Sequence, residues 1–461
     1  MNPSPSNSKI VIIGMGACGL GAAWRLQELG HDSFKIFERK PYPGGLASSV
    51  TDENGFTWDI GGHVQFSHYR YFDELMDSLM GEEWVYHERS SWIWIKERFV
   101  PYPFQNNIRY LPREDIWSCL SGLIDLYQEP ASKPQNFREW ILAVFGKGIG
   151  EAFMIPYNKK VWAYDPEKLS YSWIGDRVAT IDLARILKNV LFEKDDISWG
   201  PNNRFRFPLR GGTGEIWKRL FQRLDSQKTF LNFDLTEVNT RKKYVSFANG
   251  HRESYDVLIS TIPLDRLILL SDISDKSSAE KLRHSSTNIV GVGLKGQPPE
   301  HLKTKCWIYF PECNCPFYRV TVFSNYSPFN VPDPLRYWSL MAEVSESPDK
   351  KVDHETVCED VVQGMLNTRL IESREDIVDL WYHFEPYGYP TPSLERDEAL
   401  KVLEALEESG IFSRGRFGGW KYEVSNQDHS LMEGVELINR LFLQEEELTL
   451  WKPQVANQGL R

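Results

Sequence analysis

The chain has 461 residues, with 53 basic and 64 acidic side chains and a net charge of −11; this disfavours a nucleic-acid or anionic-membrane surface and leaves any cationic site to be local. The length exceeds one simple core and predicts about two or three domains. No apolar run approaches the ~18 residues needed to span a bilayer, the start MNPSPSNSK carries no apolar leader segment, and the cysteines Cys18, Cys119, Cys306, Cys313, Cys315 and Cys358 lack zinc-site spacing. Reduced thiols and a cytoplasmic protein without a metal are the expectation.

In chain order, the apolar run KIVII is followed by glycines and then by GLGAAWRLQELG, where Leu20, Ala23, Leu26 and Leu29 recur at helical spacing up to a stop at Gly30. FKIFE is a second short strand, which makes a β-α-β unit. From Arg113 to about Asp196, the segments EDIWSCLSGLIDLY, FREWILAVFG and DLARILKNVLFE carry helical periodicity. KYVSFANGHRESYDVLISTIPL then reads as an alternating strand, an Asn249-Gly250 turn and a buried-type strand. STNIVGVGLKG, CWIYF, FYRVTVFS and RYWSLMAEVS read as strands of a mostly antiparallel sheet. HSLMEGVELINRLF places Leu431, Val435, Ile438 and Phe442 on one helical face.

The first chemical signal is the glycine set Gly14, Gly16 and Gly19 between a predicted strand and a predicted helix. Gly14 permits a tight turn, Gly16 lets backbone approach a pyrophosphate, Gly19 allows close helix packing, and the helix N-terminus favours the anion. Glu38, at the end of the second strand, has the offset of a ribose acceptor. In PYPGGLASS, Gly44 and Gly45 offer a second close approach to phosphate. The pattern resembles the FAD-binding domain of glutathione-reductase-like and amine-oxidase-like flavoproteins, with YDVLISTIPL as its returning strand and Val238 near the adenine.

The second signal is a set of tyrosines and an arginine in aromatic contexts: Tyr309, Arg319, Tyr326, Tyr389 and Tyr422. Arginine offers a planar fork to phosphate oxygens, and tyrosine hydroxyls add neutral donors. VPYPFQNNI supplies Tyr102 and Phe104 to stack on a planar base and Gln105 for its edge; a proline-braced loop is the alternative reading.

Taken together, GGHVQFSHYRYFD, VPYPFQNNI, PYNKKVWA, FRFPLRGGTGEIW, CPFYRVTVFSNYSPFN, GYPTPSLERD and SRGRFGGWKYEVSNQDHS resemble the blocks of eukaryotic-type UDP-galactopyranose mutase, over residues 9 to about 436. The resemblance implies an α/β protein: an FAD-binding Rossmann-like, glutathione-reductase-like domain (1–65 with 205–275 and 405–461), a helical substrate or oligomerisation domain (110–198), and a twisted antiparallel sheet domain (66–109 with 276–404). It also implies interconversion of UDP-galactopyranose and UDP-galactofuranose, the latter feeding galactofuranose-containing glycans. Reduced FAD would use N5 as the nucleophile on the anomeric carbon with no net redox, and NADPH would supply the reduction.

By the same resemblance, Arg177 and Arg319 would hold the pyrophosphate with Tyr309, Tyr326, Tyr389 and Tyr422. Tyr102, Phe104, Gln105, Phe153, Asn158 and Trp162 match a uridine wall, and Asn202 and Trp307 match sugar-side positions. His63, in the loop with Gly61 and Gly62, would sit beside the flavin and tune it, whereas His68 reads as structural. Leu46, Arg416, Asn426, Gln427 and Ser430 match flavin contacts, with a helix from near His429 turning its positive end to the reduced flavin. Gln65 and Ser425 depart from the family pattern, both expected beside the flavin, and DISWGPNNRF is expected to be a lid. A flavin-dependent oxidase or desaturase, a mutase of another UDP-sugar, and a non-catalytic nucleotide-sugar binder are the competing readings; oligomeric state stays open.

Overall fold

The computed structural model describes residues 8–128, 133–175, 178, 181–197 and 203–460. Five short parallel strands form one sheet in the spatial order Ile411–Ser413, Val257–Ser260, Ile10–Ile13, Phe34–Glu38, Thr229–Leu231. Numbered along the chain, this order is 5-4-1-2-3, which reverses between the first and fourth strands. A crevice opens at such a switch point, beyond the carboxyl ends of the strands.

The sheet is covered on both faces, so its strands are mostly apolar. Ile10, Ile12 and Ile36 pack on one side against Leu20, Leu26, Leu431 and Val435. Val11, Ile13 and Phe37 pack on the other, against Val245, Leu258, Leu264 and Leu403. On the first side the helix Ala17–Glu28 lies against the 17-residue helix Gln427–Leu443. Their backbones nearly touch at glycines: a Cβ on Gly434 would fall 2.2 Å from the Cys18 carbonyl oxygen. That contact fixes the start of the C-terminal helix beside the glycine loop.

A seven-stranded sheet forms the second layer, in the order Ile377–Pro390, His284–Lys295, Tyr337–Glu346, Arg319–Thr321, Trp307–Tyr309, Ser91–Ile95, Arg98–Pro101. It is antiparallel except where Trp307–Tyr309 runs parallel to Ser91–Ile95. Residues 91–101 form this edge as a hairpin, pairing Ile93 with Val100. The longest strand, Ile377–Pro390, is absent from the strands expected above; its apolar residues do not alternate cleanly, and its register shifts twice against His284–Lys295.

The expected helices are present as Arg113–Gln128, Phe137–Ile149 and Leu183–Leu191, joined by a further helix, Ile155–Trp162. Among the described residues, no helix is long and apolar enough to cross a membrane. All six cysteines are free.

Candidate functional site

A cleft of about 1850 Å³ runs from the glycine loop across the switch point to the helical region. At its first end Gly14 adopts φ +98°, and a side chain there would strike Thr261 Oγ1 at 2.3 Å. Thr261 in turn binds Ile13 through both its N–H and its hydroxyl, which ties together the two strands that frame the crevice. A Cβ on Gly19 would lie 1.9 Å from the Gly14 carbonyl oxygen, so Gly19 serves the tight turn from beneath and does not line the cleft. Gly44 N–H donates to Met15 O at 2.8 Å, and a Cβ on Gly45 would come within 3.1 Å of the Gly16 Cα. Two bare backbone turns thus face one another at a helix N-terminus, with Leu46 beside them, and this cradle fits the pyrophosphate of a dinucleotide.

Glu38 lines the cleft, but its carboxylate is already anchored: Oε2 accepts Met15 N–H at 2.8 Å and Oε1 accepts Lys40 N–H at 2.9 Å. Those bonds orient the remaining lone pairs, which are what a ribose would meet. Val238 is corrected: it is fully buried in the core, and Phe233, Asp234, Leu235 and Leu270 line the cleft instead. A register shift between Leu235 and Glu237 turns Val238 inward toward Val245.

Farther along, Gly61, Gly62 and His63 line the cleft opposite Arg416, Asn426, Gln427 and Ser430. Burial holds the His63 imidazole down at about 4; the Glu343 carboxylate opposes this, and Arg416 and Arg319 reinforce it. His63 is therefore neutral near pH 7. Arg416 is fixed by Gly388 O at 2.9 Å and by Ser425, through its carbonyl at 3.1 Å and its hydroxyl at 2.9 Å. Ser425 thus holds a cleft arginine. Gln65 is corrected: it is absent from the cleft lining, and its backbone is paired with Arg206 while its amide is buried. His68, read above as structural, also lines the cleft, its Nδ1 2.8 Å from Asp428 Oδ2. The helix Gln427–Leu443 starts two residues before the expected start.

The sheet register assembles the next part. Tyr309 pairs with Arg319, and Arg319 pairs with Glu343, on three adjacent strands. Glu343 receives the Arg319 Nε and Nη2 donors at 2.7–2.9 Å. Burial opposes the charge on Arg319, but Glu343 and neighbouring tyrosines raise its pKa well above the ordinary value. Among the described residues Nη1 has no hydrogen-bond partner, so two N–H groups remain for an anion. Tyr309, Tyr389 and Tyr422 line the same stretch, and burial raises the first two hydroxyls, keeping them neutral donors.

Trp307 is corrected from a lining to a supporting residue: its indole N–H donates to Tyr309 Oη at 2.6 Å, which leaves the tyrosine O–H to point elsewhere. Tyr326 is likewise absent from the cleft lining; the turn Phe323–Asn325 packs its ring against Phe205 and Phe207, while Arg319 and Tyr309 stay near enough to act on its hydroxyl.

The far wall is aromatic. Tyr102, Gln105, Phe153, Asn158 and Trp162 line it. Phe104 is corrected, because it lies fully buried behind Phe153 with ring centroids 4.8 Å apart. Arg177, Asn202 and half of the expected lid (198–202) lie outside the described residues.

Tyr157, Glu343 and Arg89 are among the cleft residues that went unrecognised in the sequence. Tyr157 stacks on Phe153 at 5.1 Å, and their i,i+4 spacing was the available signal. Glu343 is a buried charge within the mostly apolar strand Tyr337–Glu346, itself a signal. Arg89, over the Tyr102 ring at 5.2 Å, had none.

The chain matches the family of flavin containing amine oxidoreductases over residues 17–356. It is similar to the crystal structure of a reduced UDP-galactopyranose mutase, with a TM-score of 0.96 and 47% identity over 98% of each chain. A fatty acid isomerase from P. acnes shares the fold at a TM-score of 0.64 and 17% identity, over 95% of this chain and 99% of that one. A Klebsiella pneumoniae protein described as "Probable UDP-galactopyranose mutase" is 24% identical over 187 residues, 36% of this chain and 44% of that protein. The matches to curated relatives thus span less than half of those proteins' length.

Proposed function

The chain belongs to the UDP-galactopyranose mutase family within the flavin containing amine oxidoreductases, and from that premise we propose that it interconverts UDP-galactopyranose and UDP-galactofuranose with no net redox. The observation that carries the reading is Arg319: a cleft arginine, fixed by Glu343 yet keeping Nη1 for an anion, lies between a dinucleotide cradle and an aromatic wall. An oxidase or desaturase acting on an amine or an apolar substrate has no use for a cation at that point.

FAD, held at Gly14, Gly16, Gly45 and Leu46 and reduced by NADPH, supplies an electron-rich N5 for the anomeric carbon when bound. The chain's own residues do the rest. Tyr102, Gln105, Phe153, Tyr157, Asn158 and Trp162 bind uridine by stacking and edge contacts. Arg319, Arg177, Tyr309, Tyr389 and Tyr422 receive the diphosphate and stabilise its charge as the anomeric bond breaks. Neutral hydroxyls orient that charge without adding a fixed counter-charge that would hinder return of the diphosphate. Neutral His63 would lie beside the flavin without placing a positive charge there. Arg416 and the N-terminus of the helix Gln427–Leu443 favour an anionic flavin. The eukaryotic-type assignment and a cytoplasmic location, supported by six free cysteines, belong to the same proposal.

The test is incubation of reduced protein with UDP-galactofuranose. The expected product is UDP-galactopyranose; its absence, together with oxidation of an amine or apolar substrate by the oxidised protein, would favour the oxidase reading.

A further inference from the structure

The helix Ile155–Trp162 presents Tyr157, Asn158 and Trp162 to the cleft. Lys160, on the same helix, does not line the cleft; it is 9% exposed and, among the described residues, makes no salt bridge. Its ammonium donates instead to Glu312 O at 2.9 Å, Cys315 O at 3.0 Å and Cys315 Sγ at 3.5 Å, which spends all three N–H groups on one loop. That loop joins the strands Trp307–Tyr309 and Arg319–Thr321, so Tyr309 and Arg319 stand at its two ends. The helix meets the same hairpin again inside the cleft, where Tyr157 lies edge-on to Tyr309 with ring centroids 5.3 Å apart. Its C-terminal carbonyls are held as well: Ser345 Oγ donates to Val161 O and Ser347 Oγ to Ala163 O, each at 2.6 Å. Glu343 and Ser345 are two apart on the strand Tyr337–Glu346, so the face that fixes Arg319 also fixes the helix.

We infer that Lys160 is a positioning residue that sets the distance between the uridine wall and the diphosphate site, an inference that rests on the function proposed above. A buried ammonium without a carboxylate is costly, and an apolar side chain of similar length fills the same space without that cost. What an apolar side chain cannot do is grip the loop. Uridine stacks on the helix while the diphosphate meets the hairpin, so UDP is a ligand with two heads on one short linker. Binding of one head gives the other an effective concentration, which is high only while the two sites keep the span of that linker. A shift of about 1 Å between helix and hairpin leaves each site whole and spoils their combination.

The experiment measures the dissociation constants of uridine, inorganic pyrophosphate and UDP for the reduced, FAD-loaded enzyme, in wild type and in Lys160→Met, together with isomerisation by reduced wild type. The product of the first two constants divided by the third is the effective concentration that joins the two heads. In Lys160→Met, uridine and pyrophosphate are expected to bind as they do in wild type, while UDP binds about tenfold more weakly. A merely structural role would weaken all three ligands alike. Should Lys160→Met retain no FAD, Ser345→Ala, which frees the helix from the sheet at Val161, is expected to give the same pattern. Equal loss for all three ligands, or an unchanged UDP affinity, overturns the inference. Failure of reduced wild type to isomerise the sugar would instead overturn the proposed function.

Discussion

Phe104 lies nearly parallel to Phe153, their centroids 4.8 Å apart and their planes 25° from each other, although only Phe153 reaches the cleft. Phe153 continues onto Tyr157 at 5.1 Å and 10°. The stack is a rigid edge on which a base can lie, with its innermost ring paid for by core packing. Phe153→Ala is expected to weaken UDP binding by about 1–3 kcal/mol, the worth of one base–aromatic stack, and to raise KM more than it lowers kcat. Titration of UDP with the reduced protein checks this; unchanged affinity would remove the aromatic wall from the nucleotide site.

Arg319 and Glu343 are cross-strand neighbours, and the fork geometry of the guanidinium serves two partners at once. Lysine keeps the charge but cannot hold the carboxylate bidentately while offering two further N–H groups outward. Arg319→Lys is therefore expected to retain FAD and to lose turnover by about 10- to 100-fold, the range for one or two charge-assisted hydrogen bonds. Flavin absorbance and initial rates measure the two effects separately. Wild-type turnover in the variant would show that a point charge suffices and that the fork has no part.

Glu433 is buried on the helix Gln427–Leu443, and its Oε2 accepts the Gly415 N–H at 2.6 Å. Burial pushes its carboxyl up to about 8, against the pull of that N–H and of Arg414. The folded state thus holds a proton that the unfolded chain, titrating near 4.5, has released. This contribution to stability is fully present below pH 4.5 and is lost as the pH rises toward and through 8. Glu433→Gln, which stays neutral and keeps an acceptor, is expected to raise Tm relative to wild type more at pH 8 than at pH 5. A difference that is the same at both pH values would contradict a protonated Glu433.

Gln65 is 2% exposed, and among the described residues neither atom of its amide finds a partner. Its backbone is held on both sides by Arg206, so the side chain can change without releasing the loop. Gln65→Leu is expected to stabilise the fold by about 1–3 kcal/mol, the usual cost of a buried unsatisfied polar group. Denaturant unfolding of the FAD-loaded protein measures this, and an equal or lower midpoint would mean that the amide is satisfied after all.

The elements whose signal is local could be read from the sequence. The glycine loop, the parallel strands Ile10–Ile13 and Phe34–Glu38, and the C-terminal helix carry their periodicity and turn chemistry within a few residues. Cleft-facing Arg319, Tyr309 and Tyr389 could be proposed from chemistry and family resemblance. What failed was direction. Phe104, Trp307, Tyr326 and Val238 are buried behind the cleft because a stacking partner, a neighbouring hydroxyl, a turn and a register shift, which residue type alone does not reveal, decide which way each points. Glu343 escaped notice because its meaning lies in Arg319 and Gly62, 24 and 281 residues away in the chain. Such pairings are set by sheet register, which a segment read alone does not specify.

The most direct measurement compares oxidised and dithionite-reduced protein on UDP-galactofuranose, in the absence of any electron acceptor, with sugar products and flavin oxidation followed together. The account predicts that only the reduced form yields UDP-galactopyranose, over many turnovers, with the flavin still reduced at the end. Equal conversion by the oxidised form, or stoichiometric consumption of the flavin's electrons, would contradict it.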